Sequence, residues 1–373
     1  MLKIGVVGVG GPKTVTSARG RSFIKVFQAM PQTEVVAVCD ILEDGLAEVE
    51  RAFGIKKLYT SYADMLDQDI DAVVVASPAP IHAEHAIAAL AAGKHVLSEV
   101  PACYDLRECQ PLVDAVRRSG KKYMLAENYC YFAYVQTWKK MIRDGRIGKL
   151  IYAEGEYIHD CRYLMVNPDG TKTWRASMPP IHYITHSLGP IIQMMEARCV
   201  SAVGMHTGCN VAPEIGAIDM EVGIFRMSNG AVVKQLCGFS VAREPSHIFL
   251  SIYGTKGCLD GKRWDKDEFK GYFEDIPNLH GMVRYPLDSD HTNVPPGARL
   301  GGHGTSEYFM VRDFVDCIVN DTKPAIDIYD AMDFTVPGLC AHISAESGAK
   351  PVDVPDFRLV SGLKLQVSGF PGP

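Results

Sequence analysis

The run Lys3-Ile4-Gly5-Val6-Val7-Gly8-Val9-Gly10 decides how the chain is read. Four apolar or glycine positions of the buried-strand type, Ile4 to Val7, lead straight into two glycines one residue apart. Glycines there permit a tight turn and let backbone approach a pyrophosphate closely. In the usual spacing a third glycine follows three residues later, but that place is Lys13. Gly20, in the ARGRSF stretch that opens the next helical pattern, is the better candidate. The phosphate loop then carries the insertion GPKTVTSAR, residues 11–19. An acid should end the second strand and take the adenosine ribose. Asp40 does so, 30 residues after Gly10 where about 20 is usual, and the insertion accounts for the excess. A carboxylate there repels a 2′-phosphate, so the expected cofactor is NAD rather than NADP.

Moving outward, strand patterns at 34–39, 71–76, 95–97 and 122–126 alternate with helical patterns at 23–30, 45–53, 82–92 and 106–119. That alternation predicts a parallel, doubly wound α/β sheet, a Rossmann NAD-binding domain over residues 1–126. The rhythm then changes. A helical segment at 135–143 ends at Asp144-Gly145, and strand-like runs follow at 149–158, 200–206, 217–225, 231–240 and 247–253. Asn229-Gly230 is a hairpin signal between two of them. Residues 127–373 therefore read as an α+β domain with a large antiparallel sheet, serving substrate binding and oligomerisation. Residues 260–305, rich in Gly, Pro, Asp and His, read as a long loop. Helix returns at 307–319, and the tail from 351 is irregular.

Composition narrows the function classes. The 373 residues are 47% hydrophobic and 22% charged, an ordinary globular balance. With a net charge of −6 and no basic run, nucleic acid is not an expected partner. No apolar stretch reaches the ~18 residues of a membrane span. The strand pattern begins at once after Met1, leaving no room for a signal peptide. Eleven cysteines, an odd number with no C-x-x-C pair, read as reduced thiols of a cytoplasmic protein.

The chain resembles the Gfo/Idh/MocA oxidoreductases over nearly its whole length. Ser77-Pro78-Ala79-Pro80-Ile81-His82 looks like that family's loop and helix start after the fourth strand. Ser98-Glu99-Val100-Pro101 stands where ordinary members carry Glu-Lys-Pro. The lysine that normally helps proton transfer is Val100 here, which argues against a plain sugar dehydrogenase. Glu-Val-Pro, Glu127-Asn128, the run Tyr157 to Arg162, Trp174-Arg175, the run Tyr183 to Pro190, Gly302-His303-Gly304 and Ile326 to Asp330 are similar to NAD-dependent glycosidases of glycoside hydrolase family 109. NAD-dependent sulfoquinovosidases share the general scheme. The resemblance adds Ser77, Pro78, His82, Glu99 and Asn128 to the cofactor-binding set of Gly8, Gly10, Gly20 and Asp40.

It also implies a reaction. Hydride transfer from sugar C3 makes a ketone that acidifies C2–H; a base removes that proton and the C1 substituent leaves. Water adds to the enone, and the retained hydride reduces the ketone. Such a route needs a base for the C3 hydroxyl and one for C2. Tyr183 and His186, three apart, share one face of a helix or its entry turn, and either could exchange the C3 hydroxyl proton. Tyr157 alternates with His159 on a strand, so both face one side, and the resemblance makes Tyr157 a candidate C2 base. Which of Tyr157, Tyr183 and His186 removes the C2 proton stays open, as do the sugar and its aglycone. Asp160 and Arg162 face the other way on that strand. Arg162 and Arg175 are expected to bind an anionic or hydroxyl-rich glycoside, with Trp174 stacking on a sugar face. His182 and His303 complete the candidate substrate set. His182-x-x-x-His186 has helical ligand spacing but lacks the glutamate of H-E-x-x-H, so no metal is expected. The alternative function is a sugar or polyol dehydrogenase with net redox. A homodimer or homotetramer is expected through alternating apolar positions at 217–225 and 231–239.

Overall fold

The computed structural model describes residues 1–12, 14–15, 17–264, 267–287, 294–295 and 297–359. Lys13, the absent third glycine of the usual spacing, lies outside them, as do parts of the 260–305 loop and the tail beyond 359.

Six parallel strands form the first sheet: β1 (Leu2–Val7), β2 (Thr33–Cys39), β3 (Lys57–Tyr59), β4 (Ala72–Val75), β5 (His95–Ser98) and β6 (Tyr123–Leu125). Their order is β3-β2-β1-β4-β5-β6. The chain reverses direction across the sheet between β1 and β4, the switch point where such sheets bind ligands. The crossovers carry α1 (Arg19–Gln28), α2 (Glu43–Phe53), α3 (Tyr62–Leu66), α4 (His82–Ala91) and α5 (Leu106–Ser119). Local chemistry sets the ends of α5: Asp105 and Glu108 form a reciprocal capping box, and Gly120 terminates the helix at φ 63°. The two short elements β3 and α3 are too brief to show periodicity in the sequence.

The C-terminal domain carries α6 (Ala133–Arg143), β7 (Leu150–Ile158), α7 (Thr185–Met195), β8 (Cys199–His206), β9 (Met220–Met227), β10 (Val232–Gly238), β11 (His247–Gly254), β12 (Gly257–Asp260), β13 (Lys270–Phe273), β14 (Val283–Arg284), α8 (Ser306–Val319), α9 (Ile328–Glu346) and β15 (Val352–Asp353). The strands form one sheet in the order β14-β13-β12-β11-β7-β10-β9-β8-β15. It is antiparallel except at its centre, where β10 runs parallel to β7. The β9–β10 hairpin turns at Asn229-Gly230 as the sequence predicts, with Gly230 at φ 86°.

Three expectations need correction. The 260–305 region is not all loop, because β13 and β14 extend the sheet from within it. The tail from 351 is not wholly irregular, because β15 pairs with β8. The longest helix, α9, escaped the sequence reading. It is apolar nearly all round and holds Pro337-Gly338 at its middle, so it has no polar stripe to mark a helical period. It lies between the large sheet and residues 180–183. A Cβ on Gly338 would sit 2.3 Å from the Ile181 carbonyl oxygen, so only glycine lets α9 press so close to the segment that carries Tyr183.

One face of the large sheet is covered by α7 and α9. The other presents Met205, Ile224, Val232 and Tyr253, all exposed and on one side by strand register. No helix among the described residues is long and apolar enough to cross a membrane.

Candidate active site

The glycine turn after β1 forms one end of a cleft. Gly8 has φ 93°, and a Cβ on it would lie 2.4 Å from the Ala76 carbonyl. Gly20, the second residue of α1, would place a Cβ 2.3 Å from the Gly8 carbonyl oxygen. It therefore fills the close-packing role of the third glycine despite the insertion. Asp40 is buried at the end of β2. Its Oδ2 accepts hydrogen bonds from Val9 N–H (2.7 Å) and Gly10 N–H (2.8 Å), and its Oδ1 accepts from Leu42 N–H (3.0 Å). The carboxylate thus shapes the turn as well as lining the cleft.

The cleft, a cavity of 280 Å³, is bounded by Gly8, Gly10, Asp40, Ser77, Pro78, His82 and Glu99. His82 ties two of its loops together, with ring nitrogens 2.7 Å from the Ser77 carbonyl and 2.9 Å from that of Pro101. Ser77 Oγ and Asn128 Nδ2 are buried with no partner among the described residues. Glycine backbone that admits no Cβ, orphaned polar atoms and an acid at the end of β2 together fit a dinucleotide.

The cleft opens onto an aromatic cluster. Tyr157 comes from β7, Tyr183 from the 3-10 turn before α7, and His186 from the first turn of α7. Ring centroids lie 5.3 Å apart for Tyr157–His186, 5.2 Å for Tyr183–His186 and 6.2 Å for Tyr157–Tyr183. Phe239 closes the cluster, 5.2 Å from Tyr157. His186 Nδ1 is 2.7 Å from Glu127 Oε1, and the Glu127 side chain is fully buried. That contact makes Nδ1 the protonated nitrogen and leaves Nε2 as an acceptor, the base-and-orienter arrangement of general base catalysis. Burial pushes the Tyr183 phenol up to about 12 while Arg175 and Arg19 pull it down. Burial, with Tyr129 and Tyr183 adding to it, drives Tyr157 well above its usual range.

The geometry agrees with known proteins. Residues 2–127 match the model of the oxidoreductase family with an NAD-binding Rossmann fold, and residues 135–260 match the GFO/IDH/MocA C-terminal domain. The chain belongs to the Gfo/Idh/MocA oxidoreductase family. Within that family its residues 247–361 match the glycosyl hydrolase 109 C-terminal domain. A glycosyl hydrolase family 109 protein of Solibacter usitatus is 27% identical over 95% of this chain and 88% of its own length. One from Streptomyces niveus is 28% identical over 95% and 77%. In fold, a levoglucosan dehydrogenase solved with NADH matches with a TM-score of 0.78 at 22% identity, covering 95% of this chain and 99% of its own. An oxidoreductase domain protein from Kribbella flavida matches at 0.81 and 21%, with the same coverage. This Gfo/Idh/MocA member is an NAD-dependent enzyme.

Of the expected substrate residues, three lie at the site. Arg175 and Trp174 line the cleft, and the Arg175 guanidinium stands 4.4 Å over the indole and 5.9 Å from the Tyr183 ring. One face of Trp174 is thus already covered, so only its other face is open to a sugar. Among the described residues no carboxylate pairs with Arg175. The His159 ring lies 6.2 Å from that of Tyr157, tilted at 42° to it, on the same side of the strand. His303 stands at the edge, 6.3 Å from the Tyr129 ring, with Nδ1 2.5 Å from Glu307 Oε1.

Two expectations fail. Arg162 does not face the site: Asp160, two residues before it, holds its guanidinium in a fork at 2.8 and 2.6 Å. His182 turns to the other side of its 3-10 turn, against Tyr104 (5.5 Å) and His342 (5.2 Å), where burial and the His342 charge take it down to about 3.

Sequence reading also missed partners. Arg19 bridges the domains, 2.8 Å from Glu99 and 3.1 Å from Glu307. Burial works to raise Glu307, but the His303 hydrogen bond and the Arg19 charge outweigh it and bring the carboxyl down to about 2. Glu127 was read only as part of a motif. Nothing local marks it as the partner of a histidine 59 positions away.

Proposed function

We propose that the protein is a glycoside hydrolase that works by transient oxidation at C3, elimination at C1, addition of water and re-reduction. The observation that carries the reading is the division of labour among buried groups. Conventional glycosidases need two available carboxyl groups flanking the bond. Here Glu127 is committed to His186, and Glu99 and Glu307 to Arg19. What faces the open end of the cleft instead is an oriented imidazole and two phenols, the equipment for moving protons from an alcohol and an activated C–H.

Bound NAD supplies the hydride exchange, accepting the C3 hydride and returning it. His186 Nε2 takes the C3 hydroxyl proton, with Tyr183 alongside at the cleft wall. Tyr157 takes the C2 proton; the imidazolium formed at His186, 5.3 Å away, is the cation that favours its ionisation. Cleavage of the C1–O bond releases the aglycone, whose oxygen takes up the proton that Tyr157 removed from C2, restoring the phenolate. Water then delivers hydroxyl to C1 and a proton to C2, and the C3 carbonyl is reduced with return of the His186 proton. The relatives' glycosyl hydrolase names support a glycoside substrate. The exposed Met205, Ile224, Val232 and Tyr253 on the open face of the large sheet support a dimer or tetramer, and eleven free cysteines support a cytoplasmic setting.

The test is turnover in D2O. Hydrolysis by this route places deuterium at C2 of the released sugar, and Tyr157→Phe leaves the hydride step intact while abolishing that exchange. Unlabelled C2 in a sugar that is actively released refutes the mechanism. Labelled C2 with an unaffected Tyr157→Phe removes only that residue from it.

A further inference from the structure

A hairpin of the C-terminal domain crosses the mouth of the dinucleotide cleft. It leaves β7 at Cys161, whose N–H donates to the Phe239 carbonyl (2.8 Å). It has its own small core, in which Cys161, Met165, Ala176 and Met178 pack on Ala217 and Phe239. Val166 and Lys172 form an antiparallel bridge. Thr173 secures the base, its Oγ1 donating to the Leu164 carbonyl at 2.6 Å. Asp169 Oδ1 accepts from both the N–H and the hydroxyl of Thr171, and Gly170 turns at φ 86°. The segment is therefore built as an ordered arm.

Its tip reaches the other domain. Asn167 Oδ1 accepts a hydrogen bond from Val15 N–H at 3.2 Å, and Asn167 Nδ2 donates to Thr171 Oγ1 at 3.0 Å, which fixes the amide's orientation. Val15 lies in the insertion that separates Gly10 from Gly20. The long phosphate loop and the hairpin thus meet over the cleft. Thr14, Val15 and Ser17 wall it from one side, and Leu164, Asn167 and Thr173 from the other.

We propose that residues 161–176 are a strap that keeps NAD in its cleft through the whole reaction cycle, with Asn167 as the latch onto the glycine-loop insertion. The need for retention rests on the hydrolase reading. A hydride lent by C3 must return to the same sugar, and loss of the reduced cofactor at mid-cycle would strand a keto sugar. An enzyme with net redox must instead release the cofactor every turnover, and a latched strap would slow it.

The experiment is a pulse-chase on the full-length enzyme loaded with radiolabelled NAD+. It is diluted into excess unlabelled NAD+, and the label that remains bound is measured against time. The wild type is expected to keep its label over many turnovers. Asn167→Ala should speed release roughly fivefold, the worth of one neutral hydrogen bond. Thr171→Val, which frees the amide and also removes the hydroxyl's bond to Asp169, should speed it about twofold. Replacing residues 167–171 by Gly-Gly, a two-residue turn closing directly on the Val166–Lys172 pair without the latch side chain, should speed it more than tenfold. Asn167 is half-buried and Thr171 exposed at the hairpin tip, and unchanged melting temperatures would confirm that the variants fold. Wild-type release within a single turnover, or wild-type release rates in all three variants, overturns the strap. C2 labelling in D2O reports separately on the chemistry: faster release in the variants sustains the strap even if C2 stays unlabelled.

Discussion

Replacing Glu127 with glutamine isolates the orienting role from the shape of the site. Oε1 accepts from both His186 Nδ1–H (2.7 Å) and Tyr129 N–H (3.1 Å), while Oε2 has no partner. A glutamine oxygen in the Oε1 place keeps both bonds; an NH2 there would face two donors, so the flipped amide is disfavoured. The substitution therefore removes charge and little geometry. A hydrogen bond to an ionised partner contributes about 1.5–3 kcal/mol and a neutral one about 0.5–1.5. The difference, about 1.25 kcal/mol between the midpoints, falls on the step in which His186 becomes an imidazolium. We expect the first hydride transfer, followed as NADH absorbance in a single turnover of NAD-loaded enzyme, to slow about tenfold, with NAD affinity unchanged. Glu127→Ala, which also frees the imidazole to rotate and leaves Tyr129 N–H unpaired, should cost a further tenfold or more. A Glu127→Gln enzyme that transfers hydride within twofold of wild type, or whose deficit is confined to NAD affinity, would refute the assignment.

Asp40→Ala strips three N–H donors of their acceptor, so NAD affinity should fall by at least tenfold and discrimination against NADP should relax, both measurable by titration; equal binding of NADP and NAD by the wild type would overturn the ribose role. Glu307, held down to about 2 from an ordinary 4.5, contributes stability that is present above the ordinary value and lost as pH falls toward about 2. The size is on the order of 3 kcal/mol at neutral pH, and Glu307→Gln should flatten that acid limb in chemical denaturation series. If the proposed dimer or tetramer forms through the open face of the large sheet, Ile224→Arg should yield monomer in light scattering without altering NAD binding, whereas a wild type that is already monomeric at micromolar concentration would end that reading.

What the sequence settled by itself was what backbone spacing settles. A strand running into Gly8 and Gly10, a helix opening at Gly20 and an acid at position 40 allow few folds, because a glycine turn and a strand end are local events. Alternation along β7 was enough to place Tyr157 and His159 on one side, whereas Arg162, already in a 3-10 turn, was expected at the substrate and is not there. The helix α9 was illegible because burial on all sides removes the polar stripe that periodicity requires. Partner choice was decided only in three dimensions. Arg162 and Arg175 are the same residue type, yet one is captured by Asp160 two positions away and the other, with no carboxylate partner among the described residues, stands over Trp174 at the cleft. His182 and His186 share a short segment, but only His186 meets Glu127. Arg19 finds Glu99 and Glu307, and Asn167 finds Val15, across 80 to 288 and 152 residues of chain respectively. Such contacts depend on how two sheets pack against one another, and nothing in the neighbouring sequence encodes them, which is why the chemistry-bearing pairs appear only once the tertiary structure brings them together.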